Sequence, residues 1–265
     1  MLPSNNEDDN SYVECMDDLN RTDASLAACV GDSSIALSTI ADDRLFIEVK
    51  AAYAKEMVTG FMKLNGMTVG AVANRSEIYD ENGQKTASFD AALSPEGCDK
   101  AAEFVNFCDA FNIPVLTLTN VNGFTADKCS EKRIAKAAAR LTYAFANATV
   151  PKVNVVTGMA YGSSYVVMNS KALGADITYC WPDAKIGTMD ARLAAKIICD
   201  GQGADAVNAC AKEYEALQTS AASAAGRGYV DTIIEPADTR KYVIGAFEML
   251  FTKREDRPAK KHGTV

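Results

Sequence analysis

The sequence predicts an α/β fold with parallel strand pairing, and three observations carry that reading. Between residues 44 and 250, short apolar runs of strand length alternate with amphipathic helical stretches. Small-residue loops follow two of the strands, at 120–124 and at 158–164. Strand–helix–strand crossovers bring the chain back in its original direction, which implies parallel neighbours.

Residues 45–49 read as the first strand. Residues 58–64 and 67–73 form a hairpin about Asn65-Gly66, a dipeptide suited to a tight two-residue turn. Ser94-Pro95-Glu96 opens a helix whose apolar positions Ala101, Phe104, Val105, Cys108 and Phe111 recur at helical spacing. Asn112 ends it, and 113–119 is a buried strand. After a loop bearing Gly123 and Phe124, a long helix is expected from residue 130 to about 149. Ile134, Ala138, Leu141 and Phe145 make its apolar stripe, and Pro151 stops it. A strand over 153–157 then runs into the small-residue turn at 158–164. That turn opens an amphipathic segment ending near Ala172, and a strand over 176–181 stops at Pro182. The amphipathic stretch 240–250 is expected to pack on the core or on a neighbouring subunit.

The ends differ in composition. Residues 1–43 carry Glu7, Asp8, Asp9, Glu14, Asp17 and Asp18 with little periodicity before a short helical signal near Leu26, and read as an acidic arm or linker. Residues 251–265 form a basic tail broken by Pro258. It reads equally as a solvated end and as a lid or partner contact. The body, 44–250, is expected to be one domain.

The turn at 158–164 is the most informative chemistry. Small residues between a buried strand and a helix leave backbone N–H groups unpaired, and such donors suit an anion or a developing oxyanion. Conventional catalysts are scarce. The single histidine, His262, lies in the tail, and there is no Gly-x-Ser-x-Gly elbow, zinc motif or P-loop. Gly201-Gln-Gly203-Ala-Asp-Ala206 imitates a dinucleotide-binding pattern but follows a helical stretch, so it reads as a helix break. The eight cysteines form no CxxC pair, and Cys108 and Cys199 read as small core residues. With no signal-peptide pattern, this favours a reducing cytoplasm and no structural metal. A net charge of −8 argues against a nucleic-acid partner. No apolar run approaches the ~20 residues that span a bilayer.

The residues also carry a resemblance. Asp17-Asp-Leu-Asn-Arg21, Tyr53-Ala-Lys55, Val58-Thr-Gly-Phe61, Cys108-Asp-Ala-Phe-Asn-Ile-Pro-Val115, Ala160-Tyr-Gly162, Trp181-Pro182 and Arg227-Gly-Tyr-Val-Asp231 occur in a family's order. The chain resembles the C-terminal, biotin-side half of the carboxyltransferase subunit of biotin-dependent acyl-CoA carboxylases, transcarboxylases and decarboxylases, the propionyl-CoA carboxylase beta type. The resemblance implies a crotonase-like spiral of strand-strand-helix repeats. It implies transfer of carboxylate between carboxybiotin and an acyl-CoA, of the propionyl/methylmalonyl or acetyl/malonyl type. Biotin would arrive on a separate carrier protein. The other implied partners are the N-terminal carboxyltransferase half, without which this half would be inactive, and a biotin carboxylase or a membrane decarboxylase subunit. Assembly into a trimer- or hexamer-type oligomer is also implied.

For site residues, the resemblance implies that Gly162, Ser163 and Ser164 form a main-chain oxyanion hole. Gly123, Phe124, Tyr165, Val166, Met189 and Asp190 would contact biotin or substrate. The chain departs from the family at several of these positions. Gly162-Ser163-Ser164 replaces a common Gly-Gly-Ala, which would put two hydroxyls into the pocket. Asp190 replaces a glycine and also fits as a helix N-cap. The loop after Phe124 lacks the usual glycine and proline. Two other functions remain open on the sequence: part of the alpha subunit of a sodium-pumping decarboxylase, or a non-catalytic biotin-carrier docking domain.

Overall fold

A computed structural model describes residues 15–80 and 82–256. In chain order its strands are β1 (Phe46–Val49), β2 (Met57–Leu64), β3 (Met67–Asn74), β4 (Glu77–Tyr79), β5 (Lys85–Ser88), β6 (Ala92–Leu93), β7 (Val115–Val121), β8 (Gly123–Phe124), β9 (Lys152–Tyr161), β10 (Ile177–Cys180), β11 (Lys185–Gly187) and β12 (Thr232–Ile233). The α-helices are α1 (Ser33–Ile40), α2 (Pro95–Ala110), α3 (Lys128–Glu131), α4 (Ile134–Asn147), α5 (Gly162–Val167), α6 (Ala191–Ile198), α7 (Ala204–Tyr214), α8 (Ala221–Gly226) and α9 (Thr239–Leu250).

One mixed sheet runs β1-β2-β3-β7-β9-β10-β12, with β11 joining the far end of β9. The β1–β2 and β2–β3 pairs are antiparallel, and β3, β7, β9, β10 and β12 are parallel, as the crossovers predict. Leu64 pairs with Met67 across the Asn65-Gly66 turn, where φ is 50° and 74°. Both residues are left-handed, the requirement of the hairpin turn that Asn-Gly satisfies. Each face of the sheet carries its own core. Phe104, Val105 and Cys108 of α2 and Leu141 and Phe145 of α4 cover one; Leu37 and Ile40 of α1 and Val243, Ile244 and Phe247 of α9 cover the other.

The start of α2 follows its sequence signal: the Ser94 hydroxyl accepts from the Gly97 amide at 2.8 Å, and Asn112 leaves the helix with φ 55°. Phe111 is 62% exposed and stacks on Phe107, so the apolar stripe ends one turn earlier than expected.

Four expectations need correction. The acidic arm expected over 1–43 does not extend to its C-terminal part. Leu26, Ala36, Leu37 and Ile40 are buried, and Arg240 of α9 pairs with Asp42 at 2.7 Å. Residues 1–14, with Glu7, Asp8, Asp9 and Glu14, lie outside the described residues. The long helix expected from 130 is two helices: the Asp127 carboxylate caps a short turn, α3, by taking the amides of Cys129 and Ser130 (2.9 and 3.0 Å), and Arg133, at φ −121°, leaves the helical conformation before α4. The strand expected to end at 157 runs on to Tyr161. Its helical segment is correspondingly short, ending at Val167 rather than near Ala172. Cys199 is not a core residue: it is half-buried at the C-cap of α6. Cys108 is buried.

At the C-terminal end, Lys253 donates to Asp176 at 2.9 Å and to the Val150 carbonyl at 3.1 Å, tying the beginning of the basic tail to the body. His262 and Pro258 lie outside the described residues. No helix among the described residues is long and apolar enough to cross a membrane.

Candidate functional site

Three parallel strands end at one place. β7 leads through Asn122 into β8, β9 leads into Gly162, and β11 leads through Thr188 and Met189 to Asp190. In open α/β sheets ligands gather at such carboxyl ends. A cleft of about 450 Å³ lies here, lined by Asn122, Gly123, Phe124, Met159, Tyr161, Gly162, Ser163, Ser164, Thr188, Met189, Asp190 and Leu193.

The path of β9 makes the cleft. Val153 to Val156 pair with β10, whereas Met159 to Tyr161 pair with β11, so the strand changes neighbours partway along. Between these segments the register against β7 shifts: Thr119 faces Val156, but Val121 faces Ala160. Asn120 occupies the resulting bulge. Its side-chain oxygen accepts from the Met159 amide at 2.9 Å, and its side-chain nitrogen donates to the Val30 carbonyl at 3.3 Å. Asn74 locks Asn120 in turn, accepting from its amide at 2.9 Å and donating to its carbonyl. Gly158 is small for this reason, since a Cβ there would lie 2.6 Å from the Asn120 oxygen.

The bent strand delivers Gly162 with φ 59°, a left-handed conformation that costs other residues energy. A Cβ at Gly162 would also stand 3.1 Å from the Thr188 carbonyl oxygen. The chain then enters α5, whose first-turn amides, those of Gly162, Ser163 and Ser164, have no acceptor within the helix. All three residues line the cleft, whose walls mix apolar and polar side chains.

The serine hydroxyls behave differently from the expectation that both enter the pocket. Ser164 is buried, and its hydroxyl donates back to the Tyr161 carbonyl at 2.8 Å; Ser163 is exposed. Asp190 lines the cleft and caps α6, its carboxylate accepting from the amides of Arg192 (2.9 Å) and Leu193 (3.4 Å). Tyr161 is a cleft residue whose phenol is pushed up to about 12, first by burial and then by the charges of Asp190 and Glu215. It therefore stays neutral near pH 7 and offers no base. Two candidates fall outside the cleft. Tyr165 is packed in the core with its phenol pushed up to about 12 by burial, and Val166 points away with 38% exposure. On α5 the cleft is lined by the first three residues, Gly162, Ser163 and Ser164, and not by the turn that follows.

The structure thus brings together Gly123, Phe124, Gly162, Ser163, Ser164, Met189 and Asp190. Asn122, Met159, Tyr161, Thr188 and Leu193 complete the lining and were not singled out as ligand contacts by the sequence. Asn122, Met159 and Tyr161 lay within a recognisable signal, the small-residue loops at 120–124 and 158–164; Thr188 and Leu193 did not. Gly201 and Gly203 lie in the break between α6 and α7, as expected. A second cavity of about 320 Å³, lined by Pro114, Pro151, Phe247 and Lys253 among others, sits at the amino end of the parallel strands.

The architecture is that of a crotonase-like α/β domain. It superposes on the transcarboxylase 12S crystal structure with a TM-score of 0.87 and 40% identity, over 99% of this chain and 51% of that one. That structure is a hexamer with hydrolysed methylmalonyl-coenzyme A bound. The beta subunit of geranyl-CoA carboxylase from P. aeruginosa, at 22% identity and a TM-score of 0.73 over 97% of this chain and 49% of that one, shares the fold.

The chain belongs to the carboxyl transferase domain family, whose model matches residues 1–265. It is 40% identical to the methylmalonyl-CoA carboxyltransferase 12S subunit of Propionibacterium freudenreichii subsp. shermanii, over 99% of this chain and 51% of that protein. It is 38% identical to the methylmalonyl-CoA decarboxylase subunit alpha of Veillonella parvula, over 100% and 51%. The chain spans about half the length of these curated relatives.

Proposed function

We propose that the chain is the biotin-side domain of a carboxyltransferase, moving a carboxyl group between carboxybiotin and an acyl-CoA of the methylmalonyl/propionyl or malonyl/acetyl type. The observation that carries this reading is the Gly162–Ser163–Ser164 turn, which offers main-chain donors to a cleft whose one phenol and one carboxylate are neutral or engaged. Biotin suits these residues: its fused rings match the walls of Phe124, Met159, Met189 and Leu193, and its ureido oxygen matches the amides. Among the described residues no lysine or arginine lines the cleft, so none of them would hold the phosphates of coenzyme A there. The nucleotide end of the acyl-CoA is assigned to a second, N-terminal half, and complete sites to an oligomer.

Biotin, when bound, supplies the carboxyl group and the proton acceptor. The protein's own residues position and stabilise. The amides of Ser163 and Ser164 hold negative charge at an oxygen set against the turn, and Gly162 gives them their direction. Asn74 and Asn120 fix the strand that carries them, and the apolar walls exclude water, which strengthens each donor. The biotin carrier protein is the proposed macromolecular partner at this cleft, and the cytoplasm the proposed compartment.

The test is exchange of label between methylmalonyl-CoA or malonyl-CoA and free biotin. It is run with this chain alone and with a matching N-terminal half, wild type against Ser164→Pro, which removes one donor. Exchange in the pair, lost on the proline substitution in folded, associated protein, is the expected result. No exchange by the associated wild-type pair would overturn the catalytic reading and leave a carrier-docking domain.

A further inference from the structure

We infer that Cys199 and Cys210 are a site of reversible disulfide formation, stapling α7 to α6, the helix that carries one wall of the cleft.

The inference rests on how α6 and α7 pack. α6 buries Ala191, Ala194 and Ala195, and Cys199 continues that face one turn further, its amide donating to the Ala195 carbonyl at 2.9 Å. On α7, Ala206, Val207, Cys210, Ala211 and Tyr214 are the less exposed residues, at the spacing of a single helix face. The connection is short. Gly201 turns left-handed with φ 78°, and the Gln202 amide donates to the Cys199 carbonyl at 3.1 Å, folding α7 back on α6. α6 and α7 pack directly on one another, and Cys199 lies near enough to Cys210 to hold its thiol pKa up.

The other six cysteines lack this arrangement. Cys98, Cys108 and Cys180 are buried, with thiols pushed up to about 12, 12 and 11 by burial, which makes them unreactive. Cys15 and Cys29 are half-buried and their thiols answer to burial and nearby carboxylates, not to a second thiol, and Cys129 is exposed. Cys199 and Cys210 are both half-buried, so a small oxidant reaches them.

The oxidant class is a peroxide. One thiol reacts with hydrogen peroxide to give a sulfenic acid and one water. The second thiol displaces a second water and forms the S–S bond, so two sulfurs are oxidised and two peroxide oxygens are reduced. The consequence reaches the cleft because α6 begins at the Asp190 cap and contributes Leu193 to the lining. Clamping the far end of α6 to α7 restricts the helix that carries this wall. This site depends on the hairpin alone and stands whether or not the carboxyltransferase reading holds.

The test treats the native protein with hydrogen peroxide, alkylates remaining thiols, and maps peptides without reduction. The expected result is an intrachain Cys199–Cys210 cross-link with loss of two free thiols, restored by dithiothreitol and absent in Cys199→Ser. Trypsin cleavage after Lys196, at the exposed end of α6, is expected to slow on oxidation in the wild type and not in Cys199→Ser. Recovery of Cys199 and Cys210 as separate alkylated or sulfinic peptides from folded protein would overturn the inference. So would cross-links joining different chains.

Discussion

Replacing Gly162 by alanine tests the link between a single backbone angle and the site. At φ 59° an alanine pays about 1–2 kcal/mol for the left-handed conformation. Its Cβ would also stand 3.1 Å from the Thr188 carbonyl oxygen, so β11 or the turn must shift by a few tenths of an ångström. The chain is therefore expected to lose about 1–2 kcal/mol or more in urea unfolding, about 2–4 °C in Tm per kcal/mol for a chain near this size. If the amides of Ser163 and Ser164 hold an oxyanion, the same shift misaligns them. Loss of one such donor typically costs ~2.7–4 kcal/mol of barrier, so carboxyl exchange by the assembled protein is expected to fall about 10²–10³-fold. Gly245→Ala is the matched control. Gly245 is exposed within α9, a Cβ there meets nothing within 4 Å, and the substitution is expected to stabilise by about 0.4–1 kcal/mol without altering exchange. If Gly162→Ala leaves both stability and exchange at wild-type values, the turn's geometry is not what the site depends on.

Arg240→Leu is expected to destabilise by about 3–5 kcal/mol in chemical denaturation, because it leaves the buried Asp42 carboxylate without its cation while Asp42 still holds the Asn65 and Gly66 amides. Asn120→Ala strips the Met159 amide of its acceptor in the β9 bulge. About 1–3 kcal/mol should be lost, with biotin binding at the cleft weakened, as read by calorimetry. Lys100 is buried beneath the carbonyls of Tyr53, Ala54 and Met57, and burial lowers its pKa from 10.5 to about 8. Between these values the unfolded chain binds the proton and the folded chain does not, so stability rises with pH across that window. Wild type minus Lys100→Met, compared by urea unfolding from pH 8 to 10, should show that rise. The difference cancels the buried thiols of Cys98 and Cys108, whose raised pKa values act in the opposite direction above pH 9.

Local signals told the truth where one residue type has one physical use. Asn65-Gly66 could only be a tight turn, Ser94-Pro95 only a helix start, and the small residues near Gly162 an exposed backbone. Asp190 sits where a helix cap should. The sequence was silent where the outcome depends on contacts distant along the chain. β9 continues through Gly158 to Tyr161 because β11 pairs with it there and Asn120 fills the bulge, and neither fact is visible in 158–161. The helix at 130–149 breaks at Arg133, whose φ of −121° leaves the helical region between α3 and α4, a departure that periodicity does not register. The residues after Asp23 look solvated in isolation, yet α1 lies on the sheet beside α9, whose Arg240 takes up the Asp42 charge. Of the cleft, the turn and the Gly123–Phe124 and Met189–Asp190 walls were legible. Thr188 and Leu193 were not, because strand pairing rather than local pattern brings β11 and α6 there.

The central claim is that the main-chain amides of Ser163 and Ser164 receive an oxygen of the bound ligand. The most direct measurement is the backbone amide spectrum of the ¹⁵N-labelled chain titrated with biotin. The account predicts that the Ser163 and Ser164 proton resonances move downfield in a saturable way, accompanied by Met189 and Leu193. Resonances around Phe247 and Lys253, at the opposite end of the sheet, should stay still. Unmoved Ser163 and Ser164 amides alongside saturable shifts around Phe247 and Lys253 would contradict it.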